Sequence, residues 1–138
     1  MIQLIIGEKG NGKTKVLLNK VNTEIKQIDG SAVYIDKSKQ HMYEVNNKVR
    51  LIDTNDFPIR STDAFIGFLC GIISQDRDLE NVYLDSFLKI SSTRDTDFNG
   101  ALKRVEELAN LFKVNFIISI SVTRDQLSDD MKGYVIFG

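Results

Sequence analysis

The sequence predicts an α/β domain: a three-layer αβα sandwich around a mostly parallel sheet of about five to six strands. Short β-rich runs alternate with helical patterns along the length of the chain. The strand runs are continuously apolar rather than alternating, as expected for strands covered on both faces by helices. A third observation is a glycine-rich stretch between the first strand and the first helix, at the place where such sheets bind ligands, outside the carboxyl ends of their strands.

The first strand is Ile2-Gln3-Leu4-Ile5-Ile6, followed by Gly7-Glu8-Lys9-Gly10-Asn11-Gly12-Lys13-Thr14. Val16, Leu17, Val21, Ile25 and Ile28 then recur at helical spacing, giving an amphipathic helix from about Lys13 to Ile28 that Asp29-Gly30 ends. Ala32 to Asp36 is the second strand. Lys37 to Lys48 is polar and irregular; it holds Tyr43 and His41, the only histidine, either of which is able to stack on a nucleobase. A lone histidine without a second ligand does not point to a metal. Val49 to Ile52 is a further short strand, and the turn-rich Asp53 to Pro58 follows.

Ser61 or Thr62 caps a helix from Asp63 to about Gln75 that is apolar almost all round, so burial on more than one side is expected. Its Gly67 and Gly71 form a small-residue face, suited to tight packing on the sheet or to a homodimer contact. Asn81 to Asp85 is a strand, with Ser86 to Ile90 continuing past it. Phe98, Leu102, Val105, Leu108, Ala109 and Phe112 stripe a helix from about Asp97 to Lys113. Val114 to Val122 is the longest strand, Thr123 and Gln126 have capping-box spacing for a short helix to about Lys132, and Tyr134 to Phe137 is a last strand.

With 138 residues, 42 % of them apolar and 27 % charged, the chain reads as a single domain, residues 1–138, that buries a core without disulfides. A net charge of −1 gives no general pull toward nucleic acid or anionic membrane. Cys70, the only cysteine, lies in an apolar run and reads as a buried small hydrophobe. No secretory signal or membrane-spanning run is visible, so a reducing, cytoplasmic compartment is the expectation.

Gly7 to Thr14 fits G-x-x-x-x-G-K-[ST], a phosphate-binding pattern that arises by chance at roughly one position in ten thousand or fewer. The residue types suit the chemistry. Gly7, Gly10 and Gly12 let backbone N–H groups wrap a phosphate, with Glu8, Lys9 and Asn11 carried between them and Lys15 just beyond. The start of the following helix adds its positive end. Lys13 reaches the β- and γ-phosphates, and the Thr14 hydroxyl goes to Mg²⁺. Asp85, at the end of an apolar strand, is the natural second group for the metal, with Asp36 and Asp53 as competitors. The ligand and cofactor implied are therefore ATP and Mg²⁺; the guanine-selecting N-K-x-D pattern is missing, Asp36-Lys37-Ser38-Lys39 not matching it.

At these residues the chain resembles the P-loop NTPase superfamily, Gly7 to Thr14 as a Walker A motif and Val82 to Asp85 as a Walker B motif. It is most similar to the additional-strand group of RecA-like and AAA-type ATPases, and also to short bacterial P-loop proteins of unassigned role. The resemblance implies that Val114 to Ser121 lies between the two motif strands. It also implies that Ser119, Ser121 or Thr123 senses the γ-phosphate. The position after Asp85, often glutamate in this group, is Ser86; Asp36, at the end of the second strand, is the substitute base, one methylene shorter than the glutamate RecA-like proteins carry there. No C-terminal helical lid is expected. Arg124 is either a γ-phosphate contact, in its own or a neighbouring subunit, or a solvated residue, and Arg60, Arg77 and Arg94 have the same standing. The resulting expectation is a Mg·ATP-binding protein with slow or partner-stimulated hydrolysis, as a homo-oligomer or with a protein partner. The alternatives are a non-enzymatic nucleotide-dependent interaction module and a small-molecule kinase, the latter without the arginine-rich lid such enzymes use.

Overall fold

Apolar runs of strand length bury their backbone only by pairing side by side, and parallel pairing needs a crossover between each pair. The structure, a computed structural model, describes residues 1–138. Its strands are β1 (Ile2–Ile6), β2 (Ser31–Asp36), β3 (Arg50–Asp53), β4 (Leu79–Leu84), β5 (Asn115–Ile120) and β6 (Val135–Phe137). They form one six-stranded sheet in the order β3-β2-β4-β5-β1-β6, with every neighbouring pair parallel. All six carboxyl ends therefore lie along one edge. β5 sits between β1 and β4, in the position expected for the stretch beginning at Val114.

The helices are α1 (Lys13–Glu24), α2 (Thr62–Ser74), α3 (Phe87–Ile90), α4 (Phe98–Phe112) and α5 (Asp129–Lys132). Strand side chains alternate between two cores, one on each face of the sheet. On one face Leu17, Leu18, Val21 and Ile25 pack on Ile5, Tyr34, Tyr83 and Ile117. On the other, Phe65 and Leu69 of α2 and Leu102 and Val105 of α4 pack on Leu4, Val33, Leu84 and Phe116. The α1 face has no second helix. Val45 and Val49 from the polar connection after β2 complete its core instead. Asn22 clamps that connection like a piece of backbone: its Nδ2 donates to the Glu44 carbonyl at 2.7 Å and its Oδ1 accepts from the Asn46 N–H at 2.8 Å.

Several elements end where the apolar pattern alone would not place them. The regular α-helix of α1 stops at Glu24, and Lys26 and Gln27 donate to Thr23 and Glu24, which tightens the last turn. Ser86 takes a left-handed conformation (φ 57°) that turns the chain from β4 into α3, so Ser86 to Ile90 does not extend the strand. The segment from Thr123 to Lys132 splits into a 3₁₀ turn (Arg124–Gln126) and α5, because Leu127 goes extended and drops into the core. Ser61 caps α2 by accepting from the Ala64 N–H at 3.1 Å.

The expectation that α2 is buried on more than one side is corrected. Only Phe65, Leu69 and Ile72 are fully buried, Ile66, Phe68, Cys70 and Ile73 flank them half-buried, and Gly67 and Gly71 are exposed. A Cβ added to either glycine meets nothing within 4 Å, so they do not serve tight packing on the sheet. No helix is long and apolar enough to cross a membrane.

Gly67→Ala is expected to raise stability in urea unfolding by about 0.5–1 kcal/mol, because it restores helix propensity in open space. Leu69→Ala, on the opposite stripe, is expected to lower it by about 2–5 kcal/mol. A destabilising Gly67→Ala would instead reveal another backbone lying on that face in solution.

Candidate functional site

Register decides which polar side chains meet at the carboxyl edge. Leu84 pairs with Ile118 and with Ile35, and Ile5 pairs with Ser119. The next residues along, Asp85, Ser119 and Asp36, thus come level with one another across three adjacent strands, with β1 and its loop beside them. Tyr34 pairs with Tyr83, two positions before Asp85 and on the same face.

Asp85 is 1 % exposed, and a carboxylate so buried needs donors. Its Oδ1 accepts from Thr14 Oγ1 at 3.1 Å and from Ser119 Oγ at 2.8 Å, with Ser86 Oγ at 3.5 Å; its Oδ2 accepts from the Tyr34 hydroxyl at 2.7 Å. Ser119 accepts in turn from the Ser86 N–H at 2.8 Å, a bond that the left-handed conformation of Ser86 makes available.

The loop from Gly7 to Gly12 is held from below, the Gly7 N–H donating to the Val122 carbonyl at 3.1 Å. Gly7 (φ 143°) turns back over Asn11, and a Cβ there would stand 2.3 Å from Asn11 Nδ2. Gly12 (φ 78°) begins α1 without any side-chain cap, and the first turn of that helix carries no acidic residue. The unpaired N–H groups of the first turn and the positive end of the helix are thereby left for an anion. Lys13 is only 8 % exposed, with its Nζ on the Glu8 carbonyl at 2.8 Å. Burial pulls its pKa below the usual lysine value, and the Asp85 charge partly offsets this.

Between the loop and the ends of β4 and β5 lies a cavity of about 530 Å³. Leu88 is its one hydrophobic wall; Gly10, Gly12, Lys13, Thr14, Asp85 and Ser119 line the inner side, and Lys9, Ser86, Lys89, Asp95 and Ser121 the remainder. The volume is that of an ordinary ligand site, but the lining is that of a site for a charged, oxygen-rich ligand. No cluster of three or more His, Cys, Asp or Glu is gathered to hold a metal. A cation seated between Thr14 and Asp85 would draw its other ligands from a bound anion and from water. That donor set fits Mg²⁺, which dehydrates reluctantly and takes few protein ligands.

Lys13, Thr14, Asp85 and Ser119 are thus brought together with Lys9, Gly10 and Gly12. Gly7, Glu8 and Asn11 shape the loop from outside the cavity, and Lys15 lines a shallow groove on the other flank of Thr14 with His41 and Glu44. Asp36 is next to the site but does not line the cavity. Asp53 is one strand further out and engaged with Lys39 at 3.2 Å. The single proton of Ser119 is given to Asp85, so the exposed hydroxyl at the end of β5 is that of Ser121. Arg124 is exposed, and Tyr43 is 92 % exposed; neither lines the cavity. Tyr34 and Lys89 belong to the site and carried no motif. Tyr34 is visible only once strand register is known, and Lys89 only once Ser86 turns the chain into α3.

No protein-family model matches the chain, and no curated protein matches its sequence.

Burial first, and the Asp85 charge second, push Asp36 up to about 6 from 3.8, against the bond its Oδ1 receives from the Lys37 N–H at 2.7 Å. Between those values the folded state holds a proton that the unfolded state has released, so stability falls as pH rises through this window. Asp36→Asn keeps an acceptor for Lys37 and removes the charge. It is expected to stabilise the free protein by on the order of 1–2 kcal/mol near neutral pH and by little near about pH 4, as read by thermal melts at the two values.

Proposed function

We propose that the chain binds a nucleoside triphosphate with Mg²⁺ at the Gly7–Thr14 loop, ATP being the default base, and hydrolyses it slowly or under stimulation by a partner. The observation that carries this reading is the Thr14–Asp85 hydrogen bond at 3.1 Å inside a cavity walled by the glycine loop and the uncapped start of α1. A loop that aims backbone donors at a polyanion and a hydroxyl–carboxylate pair suited to the accompanying cation have little use apart from each other. Placement of β5 between β1 and β4 supports assigning the chain to the additional-strand group of P-loop NTPases.

In this reading the loop N–H groups and Lys13 bind the phosphates, with Lys13 exchanging the Glu8 carbonyl for phosphate oxygen. Thr14 and Asp85 would hold the metal, whose contribution would be to neutralise phosphate charge. Lys9 and Lys89 add positive charge at the mouth.

A second reading, nucleotide as the structural or switching ligand of an interaction module, is favoured by one observation. The carboxylates lining the cavity are Asp85, whose two oxygens are both engaged, and Asp95, which is exposed. Neither is a free buried base beside the γ-phosphate position, and Asp36 stands outside the wall. Binding without phosphate release, unchanged by added cell lysate, would select this reading over hydrolysis.

Calorimetry is expected to show Mg·ATP binding to the native chain. Lys13→Ala should weaken it at least about thirtyfold, and Asp85→Asn should flatten its dependence on Mg²⁺. An absence of heat with the native chain at about 1 mM ATP rules out the nucleotide reading altogether.

A further inference from the structure

We propose that Tyr34 is a positioning residue for the metal: its hydroxyl fixes which oxygen of Asp85 faces Thr14 and so sets the affinity for Mg²⁺. The inference rests on the nucleotide reading above and deepens it, by naming a group outside the cavity that controls its metal dependence.

A hydroxyl binds a cation through a lone pair, and does so well only when its own proton points elsewhere. The proton of Thr14 has one acceptor in the structure, Asp85 Oδ1. That oxygen also receives Ser119 at 2.8 Å, so it is already crowded with donors. The other oxygen, Oδ2, has a single donor, Tyr34 at 2.7 Å. Were that donor lost, Oδ2 would be buried without a partner, in a residue 1 % exposed. The carboxylate would then gain by rotating to share the Thr14 and Ser119 protons between its two oxygens. Rotation moves Oδ1 off its line to Thr14, and the lone pairs of Thr14 lose their fixed direction.

Tyr34 is well held for the task. It is fully buried, its ring stacks on Tyr83 at 6.5 Å with a 20° tilt, and it lies one strand from Asp85, paired with Tyr83 in the sheet. Its hydroxyl has one partner, Asp85 Oδ2, to which it donates. Tyr83 supplies an internal control. It has the same ring in the same stack, but its hydroxyl donates to Glu24 Oε1 at 2.6 Å, at the far end of α1.

The test compares nucleotide affinity with and without Mg²⁺, using ATP and ADP as probes, in the native chain, Tyr34→Phe, Tyr83→Phe, Asp85→Asn and the Tyr34→Phe/Asp85→Asn double variant, each checked by thermal melt. Tyr34→Phe is expected to cut the gain in affinity on adding Mg²⁺ about tenfold while metal-free ADP binding stays within about twofold. Tyr83→Phe should leave that gain as in the native chain even where it lowers the melting temperature. In the Asp85→Asn background the Tyr34 change should have no further effect on it. Tyr34→4-aminophenylalanine, a weaker donor of the same shape, should fall between native and Tyr34→Phe, and it keeps the question answerable if the phenylalanine variant does not fold. Equal Mg²⁺ gains in the native chain, Tyr34→Phe and Tyr83→Phe would overturn the inference and leave the nucleotide reading standing. A native chain that binds no nucleotide would remove both.

Discussion

A carboxylate buried to the depth of Asp85 must be given hydrogen bonds, and meeting that demand organises the carboxyl edge of the sheet. The donors come from three elements: Ser119 from the strand on one side, Tyr34 from the strand on the other, and Thr14 from the first turn of α1 above. None of them carries a charge, so the carboxylate is held in place without a direct ion pair. Its negative charge remains available to the inner side of the cavity, where Lys13 feels it. Breaking such a network by removing one donor costs more than the net worth of the bond, because an acceptor is left buried.

The same network decides how α1 sits. Two tyrosines lie beneath the helix, stacked on each other and belonging to neighbouring strands. At the N-terminal end the Thr14 hydroxyl ties the helix to Asp85, which Tyr34 holds from below, and at the C-terminal end the Tyr83 hydroxyl donates to Glu24. Asn81 and Asn115 extend the second contact along the opposite edge of the sheet. Leu17 and Val21 provide the apolar contact between these two polar anchors. Placing the uncapped start of α1 over the cavity is therefore a consequence of core packing and of two hydrogen bonds, and the glycine loop only has to bridge from β1 to a helix already positioned.

Several locally unfavourable features gather at this edge. Ser86 has a positive φ that an ordinary residue adopts at a cost of roughly 1 kcal/mol. Lys13 is buried on a carbonyl, Asp36 is buried beside Asp85, and the first turn of α1 is left uncapped. Elsewhere α2 has a serine cap, and α4 buries one stripe and exposes the other, with Lys113 in a left-handed conformation at its end. A concentration of tolerated strain and unpaired donors at one edge is the pattern expected where structure serves binding rather than stability alone.

Local chemistry made much of this legible beforehand. The alternation of apolar strand runs with helical stripes carries the parallel α/β sheet, because those patterns report burial on both faces wherever the strands end up. Gly7, Gly10, Gly12, Lys13 and Thr14 are neighbours in the chain, so their spacing alone describes the loop and the start of the helix that follows it. Asp85 was marked by its place at the end of a buried strand. What local pattern could not decide was anything fixed by register or by a single dihedral angle. Tyr34 reaches Asp85, and Ser119 gives its proton away, because of how β2, β4 and β5 align. Ser86 starts a helix instead of prolonging a strand through one left-handed residue, and α2, apolar almost all round, buries one stripe fully and leaves its glycines exposed. The sequence by itself determined the layers and the loop, since periodicity and glycine content act over a few residues. The tertiary structure alone decided which side chains share a hydrogen bond across strands, since that depends on pairings between residues far apart in the chain.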